Sequence, residues 1–242
     1  MKKIKSVIKN LITTIASPVK TQIVRELSEH ITRVERNLYR QLIFHQDLKE
    51  KLGYSIANTR GWCISPDIGI FLLDLLDQYS PKSILELGCG ASSLVIGSYC
   101  IKNSGQLLSL EHQISHLQHV QAMIEEKKYS QVVTLVHSEL EKQKSLYSSP
   151  FYSPKALTQH VSNRFDFVFI DGPPKQHGEQ IRGNFLPLYQ EFLQSNCIIV
   201  LDDYVRQGER QFVKKWLELG YVEIVEENTI LEKHAVVLKS LL

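Results

Sequence analysis

The chain has 242 residues, which is enough for one α/β domain with an appendage. Its 28 basic and 26 acidic residues nearly balance, so the charge does not indicate a broad nucleic-acid-binding surface. No apolar stretch reaches the length of a membrane span. The 4 cysteines have no paired spacing, which is typical of reduced thiols in a cytosolic protein.

The first predicted element is a short basic amphipathic helix in residues 1–17. Apolar side chains recur there at helical spacing, lysines fill much of the opposite face, and Ser17-Pro18 ends the pattern. Two interpretations fit this helix. It contacts an anionic membrane surface, which would make the protein peripheral at the inner face of the membrane, or it packs on the domain or on a partner subunit.

A second, longer helix is predicted over residues 21–52. Its apolar positions lie three and four residues apart with charged residues between them, a pattern typical of a helix that packs along one seam. The seam is a candidate homodimer contact. We divide the chain into an N-terminal helical extension, residues 1–60, and a domain of residues 61–242. Trp62 at the junction suits either a lid over a ligand or a packing role.

The sequence ILELGCGASS at residues 84–93 predicts a strand, a tight glycine turn and the start of a helix. Glycine lets the backbone pass close to a ligand, and a helix start offers free N–H groups. Glu86 suits a ligand with positive charge or hydroxyl groups rather than a diphosphate. A dinucleotide fingerprint needs a third glycine where this chain has Ser93, so that match is poor. The alternative is a turn that only closes a strand onto a helix.

Several later strands also end on polar residues, at the edge that parallel strands share. Glu111 follows the glycine turn at about the twenty-residue spacing of an acid that binds ribose hydroxyls. The other polar residues at strand ends are His137, Ser138, Asp171, Asp202 and Asp203. Residues 139–163 predict a helix and a surface excursion, residues 181–193 a helix, and residues 221–239 an antiparallel hairpin. Alternating strands and helices predict a doubly wound α/β sheet.

Taken together, the segments ELGCG, LSLEH, FDFVFIDGPP and IVLDDYVRQGE resemble a class I S-adenosylmethionine-dependent methyltransferase over roughly residues 65–242. The last two look most like the small bacterial O-methyltransferase-like branch. The resemblance implies a Rossmann-like, mostly parallel, seven-stranded sheet with helices on both faces. It also implies that S-adenosylmethionine binds along the strand ends. The implied cofactor-binding residues are Glu86, Gly88, Cys89, Gly90, Ser92, Ser93, Glu111, His112, His137, Ser138 and Asp171.

Within this set, the resemblance assigns the methionine end to Glu86 and the glycine turn, the ribose to Glu111, and the adenine edge to His137-Ser138. In catechol-type members, carboxylates corresponding to Asp171 and to Asp202 or Asp203 bind a divalent cation, for which Mg²⁺ is suited. This chain departs from that pattern, because Asp202-Asp203 replaces the usual Asp-Asn pair. The loop lysine, here Lys175, is displaced by the Gly-Pro-Pro insertion.

His177 offers a route without a metal, because a neutral imidazole is a suitable general base near neutral pH. The candidate catalytic residues are therefore Asp171, Lys175 and His177. Arg182 and Arg206 either pair with the acids or hold an anionic acceptor.

The sequence thus predicts an S-adenosylmethionine-dependent methyltransferase that acts on a hydroxyl of a glycan or a small molecule, with no nucleic-acid partner. The alternatives are an inactive scaffold that keeps the fold, and an aminopropyl-type transferase, whose acidic polyamine-binding motifs are not evident.

Overall fold

The computed structural model describes residues 17–56, 64–160 and 163–242. The chain divides into two compact units, one ending at Ile43 and one extending from Phe44 to Leu242. The basic helix predicted in residues 1–17 therefore lies almost wholly outside the described residues, as do Trp62 and the predicted domain boundary after residue 60. Both the domain boundary and the membrane contact stay predictions.

Helix α1 spans Ser17–Leu52, which confirms the predicted long helix. Up to Ile43 its apolar seam is exposed, including Val24, Leu27, Ile31, Val34 and Leu38. The homodimer contact expected there stays a prediction. In the second unit Leu48 is buried in the core, and the partly buried Phe44 and Leu52 pack against that core.

The second unit alternates strands and helices. The helices are α2 (Pro66–Tyr79), α3 (Ala91–Asn103), α4 (Ile114–Glu126), α5 (Phe185–Tyr189) and α6 (Gln207–Glu218). The strands are β1 (Ser83–Leu87), β2 (Gln106–Glu111), β3 (Val133–His137), β4 (Leu140–Glu141), β5 (Phe151–Tyr152), β6 (Phe165–Ile170), β7 (Leu193–Asp202), β8 (Val222–Asn228) and β9 (Ala235–Ser240).

Seven strands form one sheet in the order β3-β2-β1-β6-β7-β9-β8. The first five are parallel, and β9 pairs antiparallel with both β7 and β8. The predicted sheet and its closing antiparallel pair are confirmed. Chain order reverses between β1 and β6, and a crevice at the carboxyl ends of strands lies at such a switch point.

Both faces of the sheet are covered by apolar layers, which explains why its central strands are nearly continuous apolar runs. On one face the core includes side chains of α2, α3 and α4, for example Leu72, Val95 and Ile124. On the other face it includes side chains of α5 and α6, for example Phe185 and Trp216.

Two local predictions were wrong. The helix expected after residue 139 is replaced by β4 and β5, an antiparallel pair, because Phe151 and Tyr152 are fully buried in the core. The helix expected over residues 181–193 is broken into two 3₁₀ turns around the short α5. Pro187 lacks the N–H that would bond to the carbonyl of Gly183, and the Trp216 indole N–H donates to that oxygen instead, at 3.0 Å.

Within the described parts of the chain, no helix combines the length and apolar character that crossing a bilayer requires.

Candidate functional site

The carboxyl ends of β1 and β6 approach each other through two glycines. Gly88 has a φ of +90°, and a Cβ built on it would lie 3.0 Å from the Gly172 Cα. The Gly172 N–H donates to the Leu87 carbonyl at 2.5 Å, and the Gly88 N–H donates to the Leu110 carbonyl at 2.8 Å. A side chain at either glycine would therefore push apart the strand ends that frame the crevice.

Glu86 is fully buried beneath this turn. Its Oε2 accepts hydrogen bonds from the hydroxyls of Ser93 at 2.5 Å and Ser109 at 2.6 Å, and Ser93 in turn accepts from the Gly90 N–H. Its Oε1 has no hydrogen-bond partner among the residues described. Burial raises the pKa of Glu86 to about 7, against the opposing effect of the serine hydroxyls.

Glu111 lies at the end of β2, as predicted. Its Oε1 accepts from the Gln113 N–H at 2.7 Å, and His112 Nδ1 lies 2.9 Å from the same oxygen. Burial would raise the pKa of Glu111, but these neighbours lower it below its usual value. Glu111 is therefore an ionised acceptor at neutral pH. Burial raises the pKa of the neighbouring Cys89, which keeps its thiol neutral.

His137 is the last residue of β3 and Ser138 follows it at the same edge, where His137 is in register with Glu111. The exposed His137 places Nε2 3.0 Å from the His112 carbonyl oxygen. Ser138 is buried, and its hydroxyl accepts a hydrogen bond from the Ser153 N–H at 3.1 Å. Its side chain therefore ties the end of β3 to the β4–β5 hairpin.

Tyr152, from this hairpin, is a site residue that the sequence did not predict. Its hydroxyl is fully buried and has no hydrogen-bond partner within the described chain, and a Cβ built on Gly172 would lie 2.6 Å from the hydroxyl oxygen. Its ring contacts His112 edge to face, and His112 makes the same contact with His177. His177 thus lies at the rim of the crevice, next to the 3₁₀ turn's exposed Lys175.

Asp171, Asp202 and Asp203 meet at the ends of β6 and β7 and are called here the carboxylate cluster. One oxygen from each lies within 4.8 Å of the others. Both Asp202 oxygens are buried without a hydrogen-bond partner in the described parts of the chain. Burial raises the pKa of Asp171 to about 6, with Arg182 opposing the shift, and burial next to the other two acids raises the pKa of Asp202 far more.

Two arginines already share the carboxylate cluster. Arg182 Nη2 lies 3.3 Å from Asp171 Oδ1 and 3.3 Å from Asp203 Oδ2, and Arg206 Nη2 lies 2.7 Å from Asp203 Oδ2. The donor oxygens are the hard ligands that Mg²⁺ prefers, but two of the three carboxylates are bonded to guanidinium groups. A divalent ion does not fit this cluster while Arg182 holds these contacts.

Buried polar groups normally find partners, so a concentration of unpartnered ones marks a place where a ligand binds. At this edge, as far as the described chain extends, residues with such groups include Glu86, His112, Tyr152 and Asp202. The predicted site residues are thus brought to one edge, with Lys175 and His137 at its exposed margin.

Comparison with solved structures shows the same fold. The chain is 14% identical to the S-adenosylhomocysteine-bound methyltransferase PaMTH1 of Podospora anserina, with a TM-score of 0.61 and coverage of 88% of this chain and 95% of that chain. It is 15% identical to an S-adenosylhomocysteine complex of an O-methyltransferase from Bacillus cereus, with a TM-score of 0.57 and coverage of 81% and 90%. For the S-adenosylmethionine complex of the O-methyltransferase TomG from Streptomyces achromogenes, the identity is 13%, the TM-score 0.54 and the coverage 83% and 88%.

Among curated proteins, no sequence matches this chain. A family model described as a methyltransferase domain matches residues 85–204, from β1 to just beyond the end of β7. That segment contains the glycine turn, Glu111 and the whole carboxylate cluster. The chain therefore carries a methyltransferase domain at residues 85–204, in the fold of the methyltransferases compared above.

Proposed function

We propose that this methyltransferase transfers the methyl group of S-adenosylmethionine to a hydroxyl oxygen of a glycan or a small molecule. The observation that carries the proposal is the set of buried, unpartnered polar groups that surrounds the glycine turn and continues into the carboxylate cluster. A ligand with an ammonium, a ribose and an adenine would supply the missing partners. Its reactive methyl would then point toward the cluster.

The cofactor lies along the strand ends in this proposal. The backbone at Gly88 and Gly90 and the carboxylate of Glu86 bind the methionine end, with Cys89, Ser92 and Ser93 completing the turn. Glu111 accepts hydrogen bonds from the ribose hydroxyls. The adenine lies against His112, His137 and Ser138.

Tyr152 is the additional cofactor contact in this proposal. Its hydroxyl lies beside the close approach of Gly88 and Gly172 and has no partner in the described chain. A tyrosine O–H that is buried there donates to a bound polar atom more favourably than it stays unbonded. We assign it to the part of the cofactor that crosses the two glycines.

Methyl transfer needs an acceptor oxygen in line with the sulfonium methyl and a base that takes the hydroxyl proton. His177 is the proposed base, because it is partly exposed at the rim and is within ring contact of His112. Asp171, the member of the carboxylate cluster that directly follows β6, orients the acceptor in this proposal. Lys175 adds positive charge at the margin.

The acceptor is proposed to enter along a polar groove beside the His177 loop. The groove has a volume of about 340 Å³ and is lined by Tyr147, Ser148, Ser149, Glu179, Gln180 and Gln211. Hydroxyl, amide and carboxylate groups with one aromatic ring suit an acceptor rich in hydroxyls, which supports a glycan or a polar small molecule.

Calorimetric titration with S-adenosylhomocysteine tests the cofactor assignment. We expect binding, and we expect methyl-labelled S-adenosylmethionine to label a hydroxyl oxygen in a panel of saccharides and small phenols. Mass spectrometry of the product locates the methyl group. Absence of binding would contradict the proposal and favour the scaffold alternative, while binding with methyl transfer only to nitrogen would contradict the oxygen acceptor.

Replacing Glu111 with alanine should weaken S-adenosylhomocysteine binding at least about tenfold, because hydrogen bonds to a charged acceptor contribute about 1.5–3 kcal/mol. The matched control is Glu125→Ala, since Glu125 is an exposed carboxylate on α4 that bonds only to Gln121 in the described structure. Calorimetry on both variants measures the two affinities. Equal affinities would contradict the assignment of Glu111 to the ribose.

Affinity for S-adenosylhomocysteine should rise as the pH rises through the pKa of Glu86, about 7. Above that pH the carboxylate is ionised and attracts the ligand's ammonium, whereas below it the neutral acid loses about tenfold in apparent affinity per pH unit. Calorimetry across this range should show the slope in the wild type and a flat profile in Glu86→Gln. A variant that kept the full slope would assign the titration to another group.

Tyr152→Phe should leave thermal stability unchanged or slightly higher, because the lost hydroxyl has no partner, yet lower turnover by about tenfold. The control is Tyr189→Phe, because that hydroxyl donates to the Tyr152 carbonyl at 3.1 Å and serves the fold. The control should lose about 1 kcal/mol of stability and keep its affinity for S-adenosylhomocysteine. Thermal unfolding and steady-state kinetics separate the two, and unchanged kinetics in Tyr152→Phe would rule out the contact.

A further inference from the structure

We infer that Arg182 is the built-in cation of the carboxylate cluster, so that methyl transfer at this site needs no divalent metal ion. The inference rests on the proposed function, because it concerns how the acids beside the acceptor are neutralised. Arg182 is a positioning residue in this account. It acts through Asp171 and Asp203, which it holds at the ends of two different strands.

The guanidinium of Arg182 is nearly fully engaged. Nε donates to the Pro173 carbonyl at 3.2 Å, Nη1 donates to the Asp202 carbonyl at 3.3 Å, and Nη2 donates to both the carbonyl and Oδ1 of Asp171. Nη2 also lies 3.3 Å from Asp203 Oδ2. One side chain thus bridges the ends of β6 and β7, which is the geometric task of a metal ion at this position.

Arg182 and Arg206 differ in how deeply their side chains are buried. The Arg182 side chain is 3% exposed and the Arg206 side chain is 30% exposed, so solvent screens the second far more than the first. Arg206 reaches Asp203 and Glu209 from the outer side, at 2.7 and 3.4 Å. The inner charge that a divalent ion would have to displace is therefore the guanidinium of Arg182.

The turn that carries Arg182 is fixed on both sides. A Cβ built on the next residue, Gly183, would lie 2.4 Å from the ring of Tyr147 and 2.7 Å from Phe212 Cβ. The Asn184 side chain accepts from the Tyr147 N–H and donates to the carbonyls of Tyr147 and Ser149. The backbone on which Arg182 is carried is therefore held in place, and five contacts of the guanidinium fix its charge at the cluster.

A divalent ion at the cluster would also lie next to the guanidinium. Mg²⁺ requires oxygen ligands at about 2.0–2.1 Å in near-octahedral geometry. One oxygen of Asp171 and one of Asp203 already contact Arg182, so ion binding would place two cations on the same carboxylates in a buried region. The repulsion and the lost hydrogen bonds both oppose it.

The first test measures Mn²⁺ binding to the wild-type protein by electron paramagnetic resonance, alongside turnover in excess chelator. We expect no Mn²⁺ bound at the cluster and unchanged turnover. Bound Mn²⁺ that is released by Asp171→Asn, or turnover abolished by the chelator, would overturn the inference. Binding of S-adenosylhomocysteine to the same sample tests the proposed function separately, because it does not depend on which cation neutralises the acids.

The second test removes the guanidinium. Arg182→Ala leaves Asp171 without its guanidinium and Asp203 with Arg206 alone, so we expect it to bind Mn²⁺ at least about tenfold more tightly than the wild type and to be stabilised against heat by Mg²⁺. Arg182→Lys keeps the charge and should bind Mn²⁺ as weakly as the wild type. Arg210→Ala is the matched control, because Arg210 donates to the Tyr204 carbonyl outside the cluster.

The inference is supported if Mn²⁺ binding increases in Arg182→Ala but not in Arg182→Lys or Arg210→Ala. Equal Mn²⁺ binding in these three variants and the wild type overturns it. If Arg182→Ala does not fold without added ion, refolding in Mg²⁺ gives the same information. Recovery of a folded protein in Mg²⁺ supports the inference. The inference is overturned if Arg182→Ala folds in neither condition and Mn²⁺ binds to Arg182→Lys or to the wild type.

Discussion

The close approach of Gly88 and Gly172 is the constraint on which the site depends. The N–H groups of Asp171 and Gly172 both donate to the Leu87 carbonyl, so the ends of β1 and β6 are joined beyond the last paired residues of the sheet. A side chain on either glycine would separate them. Because the two strands flank the switch point of the sheet, the same contact sets the width of the crevice and brings Asp171 within reach of the turn.

The crevice also carries an unusual concentration of buried acid. Glu86, Asp171 and Asp202 all have pKa values raised by burial, whereas Glu111 keeps a lowered one through its neighbours. Such a site is tolerated when positive charge compensates it. At the turn the proposed compensation comes from the ligand, and at the carboxylate cluster it comes from Arg182. The two halves of the site therefore differ in the source of their positive charge. At the glycine turn the bound ligand would supply it, whereas at the carboxylate cluster the protein's own Arg182 supplies it.

Much of this arrangement could be predicted from the sequence, because it depends on local pattern. Apolar runs that end in Glu111, Asp171 and Asp202 indicate strands, and parallel strands share an edge, so those acids had to meet. Tyr152 could not be predicted, because it lies in a polar stretch without periodicity and becomes a site residue only through burial against a distant strand. For a similar reason, the sequence left open whether Arg182 pairs with the acids or holds an anionic acceptor. The broken helix near it depends on Pro187 and on an indole N–H from α6.

The β4–β5 hairpin joins two parts of the proposed cofactor site. Ser138, at the proposed adenine end, bonds to the backbone of Ser153, and the adjacent Tyr152 extends to the glycines near the proposed methionine end. The Tyr189 hydroxyl also donates to the Tyr152 carbonyl, so the hairpin is bonded to the rest of the domain at both points. In the proposed binding mode, the hairpin would therefore relate the position of the nucleoside to the position at which the other end of the cofactor is held.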